Sequence, residues 1–302
     1  MMKPLEISDY PKLKRFFNNP RYRLCEYSLP SILAWTNDEY RPYGMIDEDA
    51  LIVAAEFTQH KESRHLMLPV SPQREYTPEE LQRLAVKLGY AEIWFVPEDY
   101  LDTFGKSRVR TCFKITRQKG FDDYVYLAED LIHLAGNKYS KKRNLVNQFK
   151  KTYLRNGSVQ EQMLSYSNAE ECIDFLERWC EAHHCDVDED SDMACEKQAA
   201  IHTIENIELL GVNGLLLKID GEVSAFAVAS HMSDDMGVLH FEKAYTHIKG
   251  LYQYFDQLCA GRLLSGYRYI NKESDMDVAG LAKAKKSYHP VSMIKSYKLT
   301  LK

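Results

Sequence analysis

Apolar and polar positions recur along this chain with two different periods, and the switches between them mark its elements. Asp49 to Phe57 and Arg64 to Val70 are apolar runs of strand length. Thr77-Pro78-Glu79-Glu80 combines a capping box with proline at the first helical position. Leu81, Leu84, Ala85 and Leu88 then share one face and Gly89 supplies a stop, so the pattern predicts a helix. Ile93 to Val96 follows as a buried strand ended by Pro97.

The second half spells out the same order. Ser167-Asn168-Ala169-Glu170 reads as another capping box, opening a helix whose face carries Cys172, Leu176, Trp179, Cys180 and His183. Leu215 to Ile219 and Glu222 to Ser230 flank Asp220-Gly221, a strong signal for a two-residue hairpin turn. Val238 to Tyr245 reads as a third strand. A helix then carries Leu251, Tyr254, Phe255, Leu258 and Cys259 between Gly250 and Gly266. Tyr267 to Asn271 is a strand again, and Tyr297, Leu299 and Leu301 alternate with polar residues at the end. Successive strands, a helix and a further strand thus occur twice. With 302 residues, and about 100 to 200 per domain, this predicts two α+β domains, at 1–127 and 128–302, linked through Ala128 to Leu154.

Composition narrows the class. Hydrophobic residues at 45% and charged ones at 27% exclude disordered, collagenous and coiled-coil chains. The net charge of -5 argues against a protein coated in nucleic acid or held on anionic membrane by its overall field. No stretch reaches the roughly 20 apolar residues of a spanning helix, and Met1 to Glu6 leads into no apolar core, so a cytoplasmic protein without a transmembrane segment is expected. Seven cysteines, odd in number and thinly spread, point to reduced, buried thiols. No G-x-G-x-x-G follows a strand, which disfavours dinucleotide binding, and the P-loop, H-E-x-x-H and G-x-S-x-G patterns are also absent.

Three groups of residues could carry chemistry. Lys138 to Arg155 contains no acid. With Ser140 as N-cap, about 100° per residue places Leu145, Val146, Phe149 and Tyr153 on one stripe, with Arg143, Asn147, Lys150 and Lys151 opposite. Lys142 falls within the stripe, in the first turn. It either snorkels from a solvated helix or contacts a phosphate or nucleic-acid backbone. The second group is Asn271, Glu273 and Asp275 after a strand, with Lys285 and Tyr288 beyond Leu281 and Glu242 on a neighbouring strand. Either Glu273 or Asp275 would take or orient an amine's proton while Lys285 or Tyr288 faces a carbonyl or phosphate; otherwise these are caps and loop salt bridges. The third, Cys172, Cys180, His183, His184, Cys185 and Cys195, lacks a C-x-x-C knuckle and reads as core. Asp186, Asp188 and Asp190 begin like a calcium loop, but Ser191 and Lys197 stand where glycine and glutamate are needed. No metal site is expected.

Leu134 to Asn144 with Phe149, the Phe241-Glu242-Lys243-Ala244 strand, and Asn271-x-Glu273-x-Asp275 followed by Ala284-Lys285-x-Ser287-Tyr288-x-Pro290 resemble the phosphatidylglycerol lysyltransferase C-terminal domain family. The resemblance covers most of the chain. It implies two tandem GNAT-like domains, each a mixed, mostly antiparallel sheet with flanking helices, related to the peptidoglycan-bridge aminoacyltransferases. It also implies an acyl- or aminoacyltransferase moving a group from aminoacyl-tRNA or acyl-CoA to an amine or hydroxyl acceptor on a small molecule, peptide or lipid headgroup. No other cofactor is implied. Catalytic roles are expected for Glu273, Asp275 and Glu242, and substrate contacts for Lys142, Arg143, Asn144, Asn271, Lys285 and Tyr288. The alternative is a catalytically silent GNAT-like module that binds RNA or a phosphorylated ligand.

Overall fold

A computed structural model describes residues 2–18, 20–37, 40–58, 63–183 and 192–302, with the side chains of 192–195 outside the description. His184, Cys185 and the Asp186, Asp188, Asp190 run therefore lie outside the described residues, as does the side chain of Cys195. The first elements are β1 Lys3–Pro4, α1 Tyr10–Leu13, α2 Leu29–Ala34, β2 Tyr40–Asp47, β3 Ala50–Phe57, β4 His65–Leu66, α3 Pro78–Leu88, β5 Glu92–Pro97, α4 Glu98–Phe104, α5 Lys106–Cys112 and β6 Phe113–Arg117. Then come β7 Asp123–Leu127, α6 Ala128–His133, α7 Ser140–Phe149, β8 Val159–Leu164, α8 Ala169–His183, α9 Asp192–Glu205, β9 Asn213–Ile219, β10 Glu222–Ser233 and β11 Met236–Ala244. The chain closes with α10 Leu251–Leu263, β12 Tyr269–Asn271, α11 Ala279–Lys286, β13 Ser292–Ile294 and β14 Ser296–Leu301.

The strands form two seven-stranded sheets, ordered β1-β2-β3-β4-β5-β14-β6 and β13-β7-β12-β11-β10-β9-β8. Both are mixed and mostly antiparallel, with helices flanking them, as tandem GNAT-like halves require. Each has a parallel pair, β4 with β5 and β11 with β12. The compact units are residues 1–124, 273–283 and 292–302, and residues 125–272 and 284–291. The chain thus returns to its first unit at the end: β14 pairs antiparallel with both β5 and β6. Its alternating pattern identifies a strand but carries no information about which sheet receives it.

Local chemistry explains the better-marked elements. Thr77 accepts from the Glu80 N–H while the Glu80 carboxylate accepts from the Thr77 N–H, and Gly89 closes α3 at φ 76°. Asp220 and Gly221, both at positive φ, make the tight β9–β10 turn. Two caps differ from expectation. Tyr139 rather than Ser140 is the N-cap of α7, because a 3-10 turn at Asn137–Tyr139 already starts the coil, and a π-helical turn at Lys150–Leu154 continues it. Ahead of α8, the capping box is Ser165 with Asn168 instead of Ser167 with Glu170. Among the described residues, Cys25, Cys112, Cys172, Cys180 and Cys259 are buried thiols outside any disulfide. Phe226, Val228, Phe255, Cys259 and Ile270 are each fully buried in the core of the second unit, where the Phe226 ring meets Phe175 of α8 at 6.0 Å.

Candidate active site

The second unit concentrates charge at the carboxyl ends of its two parallel strands. β11, α10 and β12 form a strand–helix–strand crossover, and β12 pairs with β11 only from Met236 to Val238. The adjoining β10–β11 register shifts between Val228 and Ala229, where Phe241 and Leu239 are the partners and His240 is passed over. Such an irregularity bends a strand and re-aims its side chains. Glu242 lies just beyond it. Crevices past the carboxyl ends of parallel strands are where open mixed sheets gather ligands.

Lys272, one residue after β12, reaches two carboxylates, Asp256 on α10 at 2.6 Å and Glu242 on β11 at 2.9 Å. All three side chains are at most 13% exposed. Burial works against the Lys272 ammonium, but Asp256 and then Glu242 more than offset it and hold the proton above the ordinary lysine range. For Glu242, burial first and the Asp256 charge second push the carboxyl up to about 7 despite Lys272. Its Oε1 is buried without a hydrogen-bond partner. A carboxyl group in that state gains or loses a proton near neutrality and keeps one lone-pair face for an incoming donor.

Aromatic groups enclose the charges. Tyr288 hydrogen-bonds Asp256, and burial with the Asp256 and Glu242 charges keeps its hydroxyl protonated. Its ring lies 5.4 Å from the Lys272 ammonium and 3.8 Å from that of Lys142. The Tyr139 hydroxyl donates to the Tyr288 carbonyl at 2.9 Å, and Tyr126 donates to the Lys285 carbonyl at 2.8 Å, so two buried tyrosines fix the end of α11 and the turn after it. Lys285 itself donates to the Lys272 carbonyl at 2.6 Å. Lys142 donates to Ser287 Oγ at 2.7 Å, and burial, with Lys272 contributing, lowers its pKa. Gly250, before α10, holds φ 82°, and a Cβ there would sit 2.2 Å from the Leu145 carbonyl oxygen. Glycine is therefore what allows α10 to start against α7.

The second unit thus gathers Glu242, Asn271, Lys285, Tyr288 and Lys142 from the expected set, Asn271 being fully buried at the end of β12. Glu273 and Asp275 fall in the first unit. There the Tyr124 hydroxyl donates to Asp275 Oδ2 at 2.5 Å, the Asp277 N–H donates to Oδ1 at 3.0 Å, and the Glu273 carbonyl accepts from the Tyr124 N–H. Glu273, Met276 and Asp277 all have positive φ, so this is a tight turn held by its own acids. Arg143 donates to the carbonyls of Leu134 and Gly136 and closes the loop before α7, while Asn144 is exposed. Asp256 and Lys272 are not marked by any sequence pattern above. A signal existed for Asp256, which is the one acid of α10 and sits beside Phe255 on its buried side.

Residues 25–300 match the family described as "Phosphatidylglycerol lysyltransferase, C-terminal". The crystal structure of a conserved protein of unknown function from Bacteroides thetaiotaomicron VPI-5482 is similar with a TM-score of 0.88 at 28% identity, over 100% of this chain and 99% of that one. The C-terminal domain of a putative lysylphosphatidylglycerol synthetase from Agrobacterium fabrum is similar with a TM-score of 0.58 at 13% identity, over 86% of this chain and 84% of that one. No curated protein matches the chain. Among the described residues, no helix is long and apolar enough to cross a membrane.

Proposed function

The chain belongs to the phosphatidylglycerol lysyltransferase C-terminal family, and from that premise we propose that it is a cytoplasmic transferase moving an activated acyl or aminoacyl group onto an amine or hydroxyl. The donor in this reading is aminoacyl-tRNA or acyl-CoA, and the acceptor is a small molecule, a peptide or a lipid headgroup. Membership gives the acyltransferase-like role; the residues of the second unit suggest how it is performed. The observation that carries the reading is Glu242: a buried carboxyl near 7 with one oxygen lacking a partner.

In this mechanism Glu242 takes the proton of the acceptor as its nitrogen or oxygen attacks the donor carbonyl. The carbonyl oxygen gains negative charge in the tetrahedral intermediate, and the ammonium groups of Lys142 and Lys272, less than fully solvated, stabilise it. When the bond to the carrier breaks, the proton passes from Glu242 to the leaving oxygen or sulfur, so that no proton is gained or lost overall. No covalent enzyme intermediate is needed if donor and acceptor are held together. Asp256 and Tyr288 act through Lys272 and are positioning residues. Glu273 and Asp275 support the turn.

A panel of labelled aminoacyl-tRNAs and acyl-CoA species tests the reading, scored for acyl group released from the carrier and gained by an added amine. Turnover with at least one class is expected. Binding without transfer throughout the panel would favour the silent module that binds RNA or a phosphorylated ligand.

A further inference from the structure

The first unit contains a buried cluster that the transfer mechanism leaves unused. Cys25 and Glu26 lie in a 3-10 turn, Cys25–Tyr27, and Asp123 opens β7, 98 positions away from Cys25. Among the described residues, the Cys25 thiol and the carboxylates of Glu26 and Asp123 present three ligand atoms within 4.8 Å of one another. Asp123 is 0% exposed and Cys25 is 7% exposed. The Cys25 N–H donates to Asp123 Oδ2 at 2.7 Å, which fixes the carboxylate, and Cys25 Sγ lies 3.3 Å from Oδ1.

A separate observation concerns Glu26, whose Oε2 is buried with no hydrogen-bond partner. A buried carboxylate oxygen left so is costly unless a cation or a donor meets it. Burial first, and the charge of Asp123 next, raise both the thiol and the Glu26 carboxyl, and Glu273 adds to that field. Distances indicate what would relieve it. With zinc–sulfur near 2.3 Å and zinc–oxygen near 2.0 Å, tetrahedral geometry puts sulfur and oxygen ligands about 3.5 Å apart, close to the spacing of Sγ and Oδ1.

We propose that Cys25, Glu26 and Asp123 form a binding site for one divalent transition-metal ion of the zinc type. The thiolate selects against magnesium and calcium, which prefer oxygen ligands alone. Binding replaces the S–H donated to Asp123 with a metal–sulfur bond, and the thiol proton and that of a protonated Glu26 leave to solvent. Three protein ligands leave a fourth position for water or a substrate group. The ion would also fasten the Cys25–Tyr27 turn to the start of β7.

The test uses the full chain, stripped with a chelator and titrated separately with Zn2+ and Co2+. One ion per chain is expected, with protons released and the melting temperature raised by mass action. Bound Co2+ should show a thiolate-to-metal charge-transfer band that Cys25→Ser removes. Glu26→Gln should weaken Zn2+ binding about 100-fold or more, beyond the usual effect of losing an outer-shell partner. Absence of binding by the wild type, bound Co2+ without a thiolate band, or a band that persists in Cys25→Ser would each overturn the proposal. The Co2+ spectrum of the wild type decides the matter even if a variant fails to fold.

Discussion

Asp256 and Lys272 face each other at 2.6 Å, and the same ammonium reaches the neighbouring Glu242 at 2.9 Å. One ammonium serves two carboxylates. Asp256 also receives the Tyr288 hydroxyl, whereas Glu242 accepts from Lys272 and, among the described residues, keeps an unpartnered oxygen. Burial first and the Asp256 charge second raise the Glu242 carboxyl to about 7, and a carboxyl raised in this way suits a proton carrier. The asymmetry singles out Glu242.

Removing the shared cation should be costly. Lys272→Met leaves two buried acids with no ammonium between them, and loss of one partner of a buried pair costs about 3–5 kcal/mol. Adding Asp256→Asn should recover most of that loss, since Glu242 can protonate. Urea unfolding of the single and double variants checks this; a single variant within about 1 kcal/mol of wild type would mean that the triad is not coupled.

His65 provides a pH-dependent contribution of known sign. Its Nδ1 lies 3.0 Å from the Ser63 carbonyl, its Nε2 is buried without a partner, and its ring stacks on Trp94 at 4.2 Å. Burial lowers its pKa to about 4. The unfolded chain, with an ordinary imidazole near 6.5, binds more protons between these values, so the stabilisation is complete above about pH 6.5 and is lost as pH falls towards 4. His65→Phe should flatten the stability profile relative to wild type across that window. Parallel profiles would show that another group controls it.

The basic surface of α7 and the π-helical turn after it can be tested by salt. Lys141 and Lys151 are exposed, unlike Lys142. If the donor is a polyanion that binds across this face, replacing both by Ala should reduce the slope of log affinity against log salt by roughly 0.7 to 0.9 for each phosphate that is no longer neutralised. Melting temperature should stay the same. An unchanged slope would mark the face as ordinary solvated surface.

Much of the fold was legible because its signals are local. The Thr77 and Glu80 box, the Gly89 stop and the Asp220-Gly221 turn depend on residues a few positions apart. The site was legible only in part, since Glu242, Asp256 and Lys272 come from a strand, a helix and the end of a second strand, and no spacing rule connects them. Asn271, Glu273 and Asp275 read as one motif, yet the chain passes between units within it: Lys272 closes a segment of the second unit and Glu273 begins one of the first. Lys142 was visible as a cation out of place in an apolar stripe, whereas its partners Ser287 and Tyr288 are 145 or more positions distant and could not be read from a helix pattern.

The most direct test is the single-turnover transfer rate of wild type and Glu242→Gln on both sides of neutrality, using a donor from the panel that turns over. A carboxyl raised to about 7 is an active base only above that value, so the wild-type rate should rise with pH and level off beyond about 7. Glu242→Gln should lose about 10²-fold or more in rate, lack that limb, and keep its melting temperature. A Glu242→Gln enzyme with wild-type rate and the same rising limb would contradict the assignment of Glu242 as the base.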